Sequence, residues 1–175
     1  MPQLLLIRHG EPEGKGRLLG RCDPGLSPAG HDAARQALAH IEAAIAYVSP
    51  LQRAQQTAAY LPAHIPRVTL PQLPEISLGE WEGLLWAEVE QRWPELACQK
   101  LERWLDIPAP GGEPWPEVLA RATSVLEIVR RGPFPAVIVA HHGINSVLSS
   151  LLTGCDPHTH QQAYCQIFHH EVILP

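Results

Sequence analysis

Arg8 and His9 stand side by side directly after an apolar run, Leu4-Leu5-Leu6-Ile7. A guanidinium beside an imidazole makes an anion site, and an imidazole with one unprotonated nitrogen is also a nucleophile. Three further groups extend this chemistry. His141 follows a second apolar run, Ala136 to Ala140. Arg53 lies just past a third, which ends at Val48, and Glu75 sits in the loop beyond a fourth. Two arginines can fork onto a phosphate dianion, each charge-assisted hydrogen bond contributing about 1.5–3 kcal/mol. His9 can attack phosphorus when its other ring nitrogen is held by a hydrogen bond, for instance to a backbone carbonyl. A second histidine can donate to the non-bridging oxygens, and a carboxylic acid can protonate the departing oxygen. These groups suffice for phosphoryl transfer without a metal. Taken alone, Arg8-His9 reads equally well as two solvated bases at a strand end.

The elements that must position these groups are legible in outline. Short, uninterrupted apolar runs read as strands buried on both faces. Polar residues that follow them lie at the carboxyl edge of the sheet, where open α/β sheets bind ligands. Ser27-Pro28 starts a helix, with Ser as N-cap and Pro in the first turn, and Ala34, Leu38, Ile41 and Ile45 form its apolar stripe. Strands follow at Ala44–Val48 and Arg67–Leu70, with a helix over Pro50–Tyr60 between them. The pattern is helical from Leu84 to Leu105, broken near Trp93-Pro94, and helical again from Glu117 to Arg131, where Gly132-Pro133 stops it. After the strand at Ala136–Ala140 comes a helix over Ile144–Leu152, and one or two edge strands end the chain between Ala163 and Leu174. Alternating strands and helices predict a three-layer α/β/α fold with a mostly parallel central sheet. Residues 1–175 read as one domain, with a small helical lid inserted over about 81–115.

Composition narrows the classes. The chain has 175 residues, 45% hydrophobic and 18% charged, as in soluble globular proteins. No run approaches the roughly 18 apolar residues that span a bilayer, and no secretory leader is evident. A formal charge of −5 argues against a nucleic-acid partner. Cys22, Cys98, Cys155 and Cys165 form no CxxC pair and read as free thiols in a reducing, cytoplasmic setting. Ten histidines raise the question of a metal, and His158-Thr159-His160 could chelate if extended. With no acidic or thiol partner at ligand spacing, a solvated loop is the better reading, and no metal or cofactor is expected.

Four blocks in order resemble the histidine phosphatase superfamily, which includes the cofactor-dependent phosphoglycerate mutases. They are Arg8-His9-Gly10-Glu11; Ser49-Pro50-Leu51-Gln52-Arg53 continuing to Ala58; Leu73-Pro74-Glu75 with Gly79-Glu80-Trp81-Glu82-Gly83; and Val139-Ala140-His141-His142-Gly143. The resemblance implies that His9 becomes phosphohistidine, and that Arg8, Arg53 and His141 line the phosphate pocket. It also implies that Glu75 acts first as acid and then as base for water. Glu75 must then hold a proton near neutrality, which burial or a neighbouring carboxylate would favour. His142 competes with His141. The family places Gly two residues after the pocket histidine, which favours His141. Glu11 reads as a partner for Arg8. The chain departs from the family at Lys15, where many members carry a phosphate-holding Asn. Lys15 is either a longer substitute or a solvated loop residue. Arg21 lies in a loop that approaches substrate in the family, or is a plain surface arginine.

The short chain lacks the insertions typical of the mutases, and its layout is most similar to bacterial α-ribazole-5′-phosphate phosphatases of cobalamin assembly. The resemblance therefore implies a metal-independent phosphomonoesterase acting on a small-molecule phosphate ester. A broad-specificity phosphatase, a protein phosphohistidine phosphatase, a mutase and a non-catalytic phosphoryl-binding protein are the alternatives. All five tryptophans fall within residues 81–115. They are either lid packing or, for Trp86 or Trp104, a surface that stacks on a flat aromatic leaving group.

Overall fold

The computed structural model describes residues 2–174. Its centre is a five-stranded sheet. Strands β1 (Gln3–Arg8), β2 (Ile45–Val48), β3 (Arg67–Thr69) and β4 (Ala136–Ala140) run parallel, and β5 (Ile167–Glu171) pairs antiparallel with β1 at one edge. The order is β3-β2-β4-β1-β5. Strands β1 and β4 lie in the middle, which explains their continuous apolar runs. Leu4 and Leu6 pack on one face with Ile138 and Ala140, while Leu5 and Ile7 pack on the other with Val137 and Val139.

Helices cover both faces. Helix α1 (Pro28–Leu38) and α2 (Gln52–Ala58) bury Leu38, Ala54 and Ala58 against the Leu5 side. The Leu4 side is covered by α5 (Trp115–Arg130) and α6 (His142–Thr153), through Val118, Val125, Val129, Val147 and Leu148. Between these layers in sequence, α3 (Trp86–Arg92) and α4 (Pro94–Glu102) form the lid around a separate cluster of Trp81, Val89 and Ala97. The expected break at Trp93-Pro94 is where α3 gives way to α4, with Pro94 opening the second helix.

Several boundaries differ from expectation; α2 is shorter at both ends than Pro50–Tyr60, and three other differences have a clear cause or consequence. Helix α1 ends at Leu38, so Ile41 lies in the turn that follows and Ile45 opens β2; both still pack on the cores of their respective faces. Helix α5 begins at Trp115 because Pro116 fits the first turn, where its missing N–H has no intrahelical partner to lose. Helix α6 begins at His142, two residues early, and the reason lies in the site. Ser27 caps α1 as its sequence suggests, its hydroxyl accepting from Gly30 N at 3.0 Å. Among the described residues, one edge strand rather than two ends the chain, and no helix is long and apolar enough to cross a membrane.

Candidate active site

The carboxyl ends of the three central parallel strands converge. His9 N donates to Ala140 O, and Ser49 N donates to Val139 O, so the residues just past β1, β2 and β4 share one edge. His9 is 4% exposed, and its Nδ1 lies 2.7 Å from Gly10 O. A carbonyl only accepts, so Nδ1 carries the proton and Nε2 keeps its lone pair. Burial, aided by the Arg53 and Arg8 charges and only partly offset by the Gly10 carbonyl, pushes the His9 pKa down to about 3. The ring therefore stays neutral, and Nε2 nucleophilic, throughout the physiological range.

The surrounding loops hold this geometry. Gly10 N donates to Thr57 Oγ1 at 2.9 Å, and Thr57 Oγ1 donates to Arg53 O at 2.7 Å, tying the loop after β1 to α2. A side chain at position 10 would not fit, since a Cβ there would stand 2.7 Å from Gly30 O. Arg53 is 1% exposed and donates through Nη1 to Cys22 O (2.6 Å) and through Nη2 to Gly20 O (2.9 Å). Arg8 donates through Nη1 to Gln162 O at 2.7 Å, and its guanidinium lies 4.1 Å from the centre of the Tyr164 ring. Nε of Arg8 and Nε of Arg53 are buried with no hydrogen-bond partner in the protein. A buried guanidinium and a partly buried one, each with a buried, unpartnered Nε, beside a neutral imidazole suit an anion with several acceptor oxygens.

His141 is fully buried, its ring centre 5.0 Å from that of His9, and its Nε2 lies 2.8 Å from Ser49 Oγ. Burial, together with the nearby His9 and arginines, drives its pKa well below the usual value. Its neighbour His142, rather than His141, is on the cavity wall. Buried neutral histidines tie stability to pH. Each has a folded-state pKa below its unfolded value, so the unfolded chain binds the extra proton once the pH falls below about 6.5. Stability is full above that pH and is expected to fall on acidification by about 1.4 kcal/mol per pH unit for each such histidine. Urea unfolding between about pH 6 and pH 4.5 checks this. In His9→Gln the proton uptake on unfolding should drop by about one.

Glu75 explains the early start of α6. Its Oε2 accepts from Gly143 N (3.0 Å), and its Oε1 accepts from Ile144 N (3.1 Å) and from its own neighbour, Ile76 N (2.9 Å). The carboxylate thus caps the helix with two otherwise unsatisfied N–H groups and meets the positive end of its dipole. A Cβ at Gly143 would stand 2.6 Å from Glu75 Oε1, so glycine is needed for the approach. Among the described residues no carboxylate hydrogen-bonds to Glu75; its carboxylate accepts from three backbone donors.

Arg8, His9, Arg53, Glu75 and His142 line one cavity of about 450 Å³. The remaining wall mixes apolar side chains, Leu18, Leu19, Leu78, Leu101, Leu105 and Trp104, with polar ones that include Arg17, Glu102, His158, His160 and Gln161. Trp104 faces this cavity, and Trp86 packs behind it, ring centres 5.7 Å apart. Lys100 fixes the segment by donating to Trp104 O (2.5 Å) and Ile107 O (2.6 Å). Two expected contacts lie elsewhere. Lys15 pairs with Glu11, four residues before it, at 2.5 Å, and its side chain is 66% exposed; it is not on the cavity wall. Glu11 is accordingly a partner of Lys15 rather than of Arg8. Arg21 also stays off the wall and donates through Nε to Glu75 O at 2.6 Å. Tyr164 was not singled out by the sequence; it sits on the wall beside His9, ring centres 5.7 Å apart. Among the described residues, no group of three or more His, Cys, Asp or Glu is arranged to hold a metal ion.

This fold and this grouping of side chains define a phosphoryl-handling α/β enzyme. The chain matches the histidine phosphatase superfamily (branch 1) over residues 4–172 and belongs to that family. It is 34% identical to a 2,3-bisphosphoglycerate-dependent phosphoglycerate mutase of Bartonella quintana, over 86% of this chain and 87% of that one. Among solved structures it is similar to a mycobacterial glucosyl-3-phosphoglycerate phosphatase, with TM-score 0.83 and 26% identity over 96% and 89% of the two chains. It also shares its fold with the α-ribazole phosphatase of Shigella flexneri, with TM-score 0.86 and 22% identity over 98% and 91%.

Proposed function

We propose that this member of the superfamily is a metal-independent phosphomonoesterase working through a phosphohistidine at His9, with α-ribazole-5′-phosphate, an intermediate of cobalamin assembly, as its ester. The observation that carries the reaction is the tautomer of His9, with Nδ1–H on Gly10 O and Nε2 free beside Arg8 and Arg53, whose Nε atoms are buried and unpartnered. In the first step Nε2 attacks phosphorus and the P–O bond to the leaving group breaks. Arg8 and Arg53 hold the equatorial oxygens, and His141 Nδ1, buried without a partner in the protein, is the third donor proposed for them. Glu75 delivers its proton to the departing oxygen. In the second step Glu75 takes a proton from water, the oxygen attacks phosphorus, and the P–N bond breaks. Phosphate leaves and His9 returns to its neutral form.

The proposed substrate rests on the far wall. An aromatic base has a flat apolar surface, and Trp104 with five leucines offers a matching one. Trp104→Leu is expected to raise KM for α-ribazole-5′-phosphate about tenfold while leaving KM for a small alkyl phosphate within about twofold, given ~0.5–1.5 kcal/mol for aromatic stacking. Trp86→Leu should have a smaller effect, since Trp86 stands behind Trp104. Steady-state kinetics on the two esters read the difference.

The likeness to a phosphoglycerate mutase favours a second reading, in which phosphohistidine passes its phosphoryl group to another hydroxyl rather than to water. One panel separates the readings: α-ribazole-5′-phosphate, 3-phosphoglycerate, sugar phosphates and a phosphohistidine peptide, all in chelator. Phosphate release with strong preference for α-ribazole-5′-phosphate is the expected result. Isomerisation of 3-phosphoglycerate without release would establish the mutase, and flat, low hydrolysis across the panel would remove the cobalamin assignment.

A further inference from the structure

The loop that carries Glu75 has no regular structure, yet the chemistry above needs its carboxylate placed to within a fraction of an ångström. Three charged residues, none of them on the cavity wall, grip that loop. Arg121, on α5, donates through Nη1 to Gln72 O (2.8 Å) and Pro74 O (2.7 Å). Its Nε and Nη2 form a fork on Glu113 Oε1 (2.6 Å) and Oε2 (3.0 Å). Glu113 Oε2 also accepts from Ser77 N (3.3 Å) and from Arg21 Nη2 (3.3 Å). Arg21 Nε closes the set on Glu75 O at 2.6 Å. The backbone is therefore held at residues 72, 74, 75 and 77, on both sides of the carboxylate.

We propose that Arg21, Glu113 and Arg121 form a clamp whose role is to position Glu75 for proton transfer. This rests on the reading of Glu75 as acid and base given above. The Arg121 and Glu113 side chains are 13% and 9% exposed, so solvent screens the fork little. Burial alone would raise the Glu113 pKa, but Arg121 and the Ser77 amide outweigh it and hold the group in its charged form. Alternative duties fit less well. A purely structural ion pair would not need to place three donor contacts on the carbonyls of Gln72, Pro74 and Glu75, around one acidic residue. None of the three side chains lies on the cavity wall. The clamp also gives Arg21 a place: it sits beneath Glu75 rather than on the phosphate.

A double-mutant cycle tests the clamp. Glu113→Gln breaks the fork, and its effect is measured in the native and Glu75→Gln backgrounds, on an alkyl phosphate and on nitrophenyl phosphate. With the alkyl ester, whose leaving oxygen needs a proton, kcat should fall about 10- to 100-fold. The burst of nitrophenol, which needs little protonation, should stay within about threefold, and KM should change little. In the Glu75→Gln background the loss on the alkyl ester should nearly vanish, because the clamp then has no acid to place. Equal losses on both esters, or a loss that persists unchanged without Glu75, would overturn the proposal. Failure of Glu75→Gln itself to distinguish the esters would instead bring down the assignment of Glu75, and the clamp with it. Should Glu113→Gln fail to fold, Arg21→Gln removes the half-exposed arm of the clamp. A several-fold loss confined to the alkyl ester is then expected, and no loss would refute the role of Arg21.

Discussion

His9→Ala should abolish turnover, lowering kcat by roughly four orders of magnitude or more on every ester, activated or not. The size follows from geometry. Nε2 of His9 is the group at this site that is neutral, unpartnered and flanked by Arg8 and Arg53. Removing it leaves an anion pocket with no nucleophile, so phosphate should still bind. Competition by inorganic phosphate, measured as protection against thermal unfolding, should therefore survive in His9→Ala while catalysis does not. Near-native activity in the variant would show that water is activated some other way.

Glu75→Gln should divide substrates by leaving group. An alkoxide is a poor leaving group without a proton, so alkyl phosphates and α-ribazole-5′-phosphate should lose about 10²- to 10⁴-fold in kcat. Nitrophenolate departs unaided, and the first-step burst with nitrophenyl phosphate should be nearly native. The second step still needs a base for water, so the phosphoenzyme should accumulate after that burst and turn over slowly. Glutamine can keep the acceptor contact to Gly143 or Ile144 through its amide oxygen, which limits disturbance of α6. Equal losses for all esters at the first step would make Glu75 a helix cap and nothing more.

What the sequence made legible was local or periodic. The doubly apolar runs at Leu4–Ile7 and Ala136–Ala140 marked the two central strands because both faces of those strands are covered. Ser27-Pro28 marked the start of α1 because a cap involves neighbours only. The polar residues after each run followed from topology, since parallel strands bring their carboxyl ends to one edge. Long-range partners left no such pattern. Nothing near Glu75 announces that its acceptors face the amides of Gly143 and Ile144, nor that Arg121 and Glu113 hold its loop. Tyr164 over Arg8 and Trp104 on the cavity wall likewise depend on how the segment 157–164 and the lid close over the sheet edge. Lys15 shows the converse. Its i,i+4 relation to Glu11 was visible in the sequence, and that near neighbour, rather than the more distant phosphate pocket, holds it.

The central claim is a covalent phosphoryl group on one nitrogen of His9, and it can be observed directly. The enzyme would be mixed with nitrophenyl phosphate in chelator, quenched in alkali within the burst, digested, and mapped by mass spectrometry. The expected result is one added phosphoryl group on the peptide containing Arg8-His9-Gly10, stable in alkali, lost in acid, and enriched in Glu75→Gln. Turnover with no phosphopeptide at any quench time, or a phosphoryl group on a peptide other than that of His9, would contradict the account.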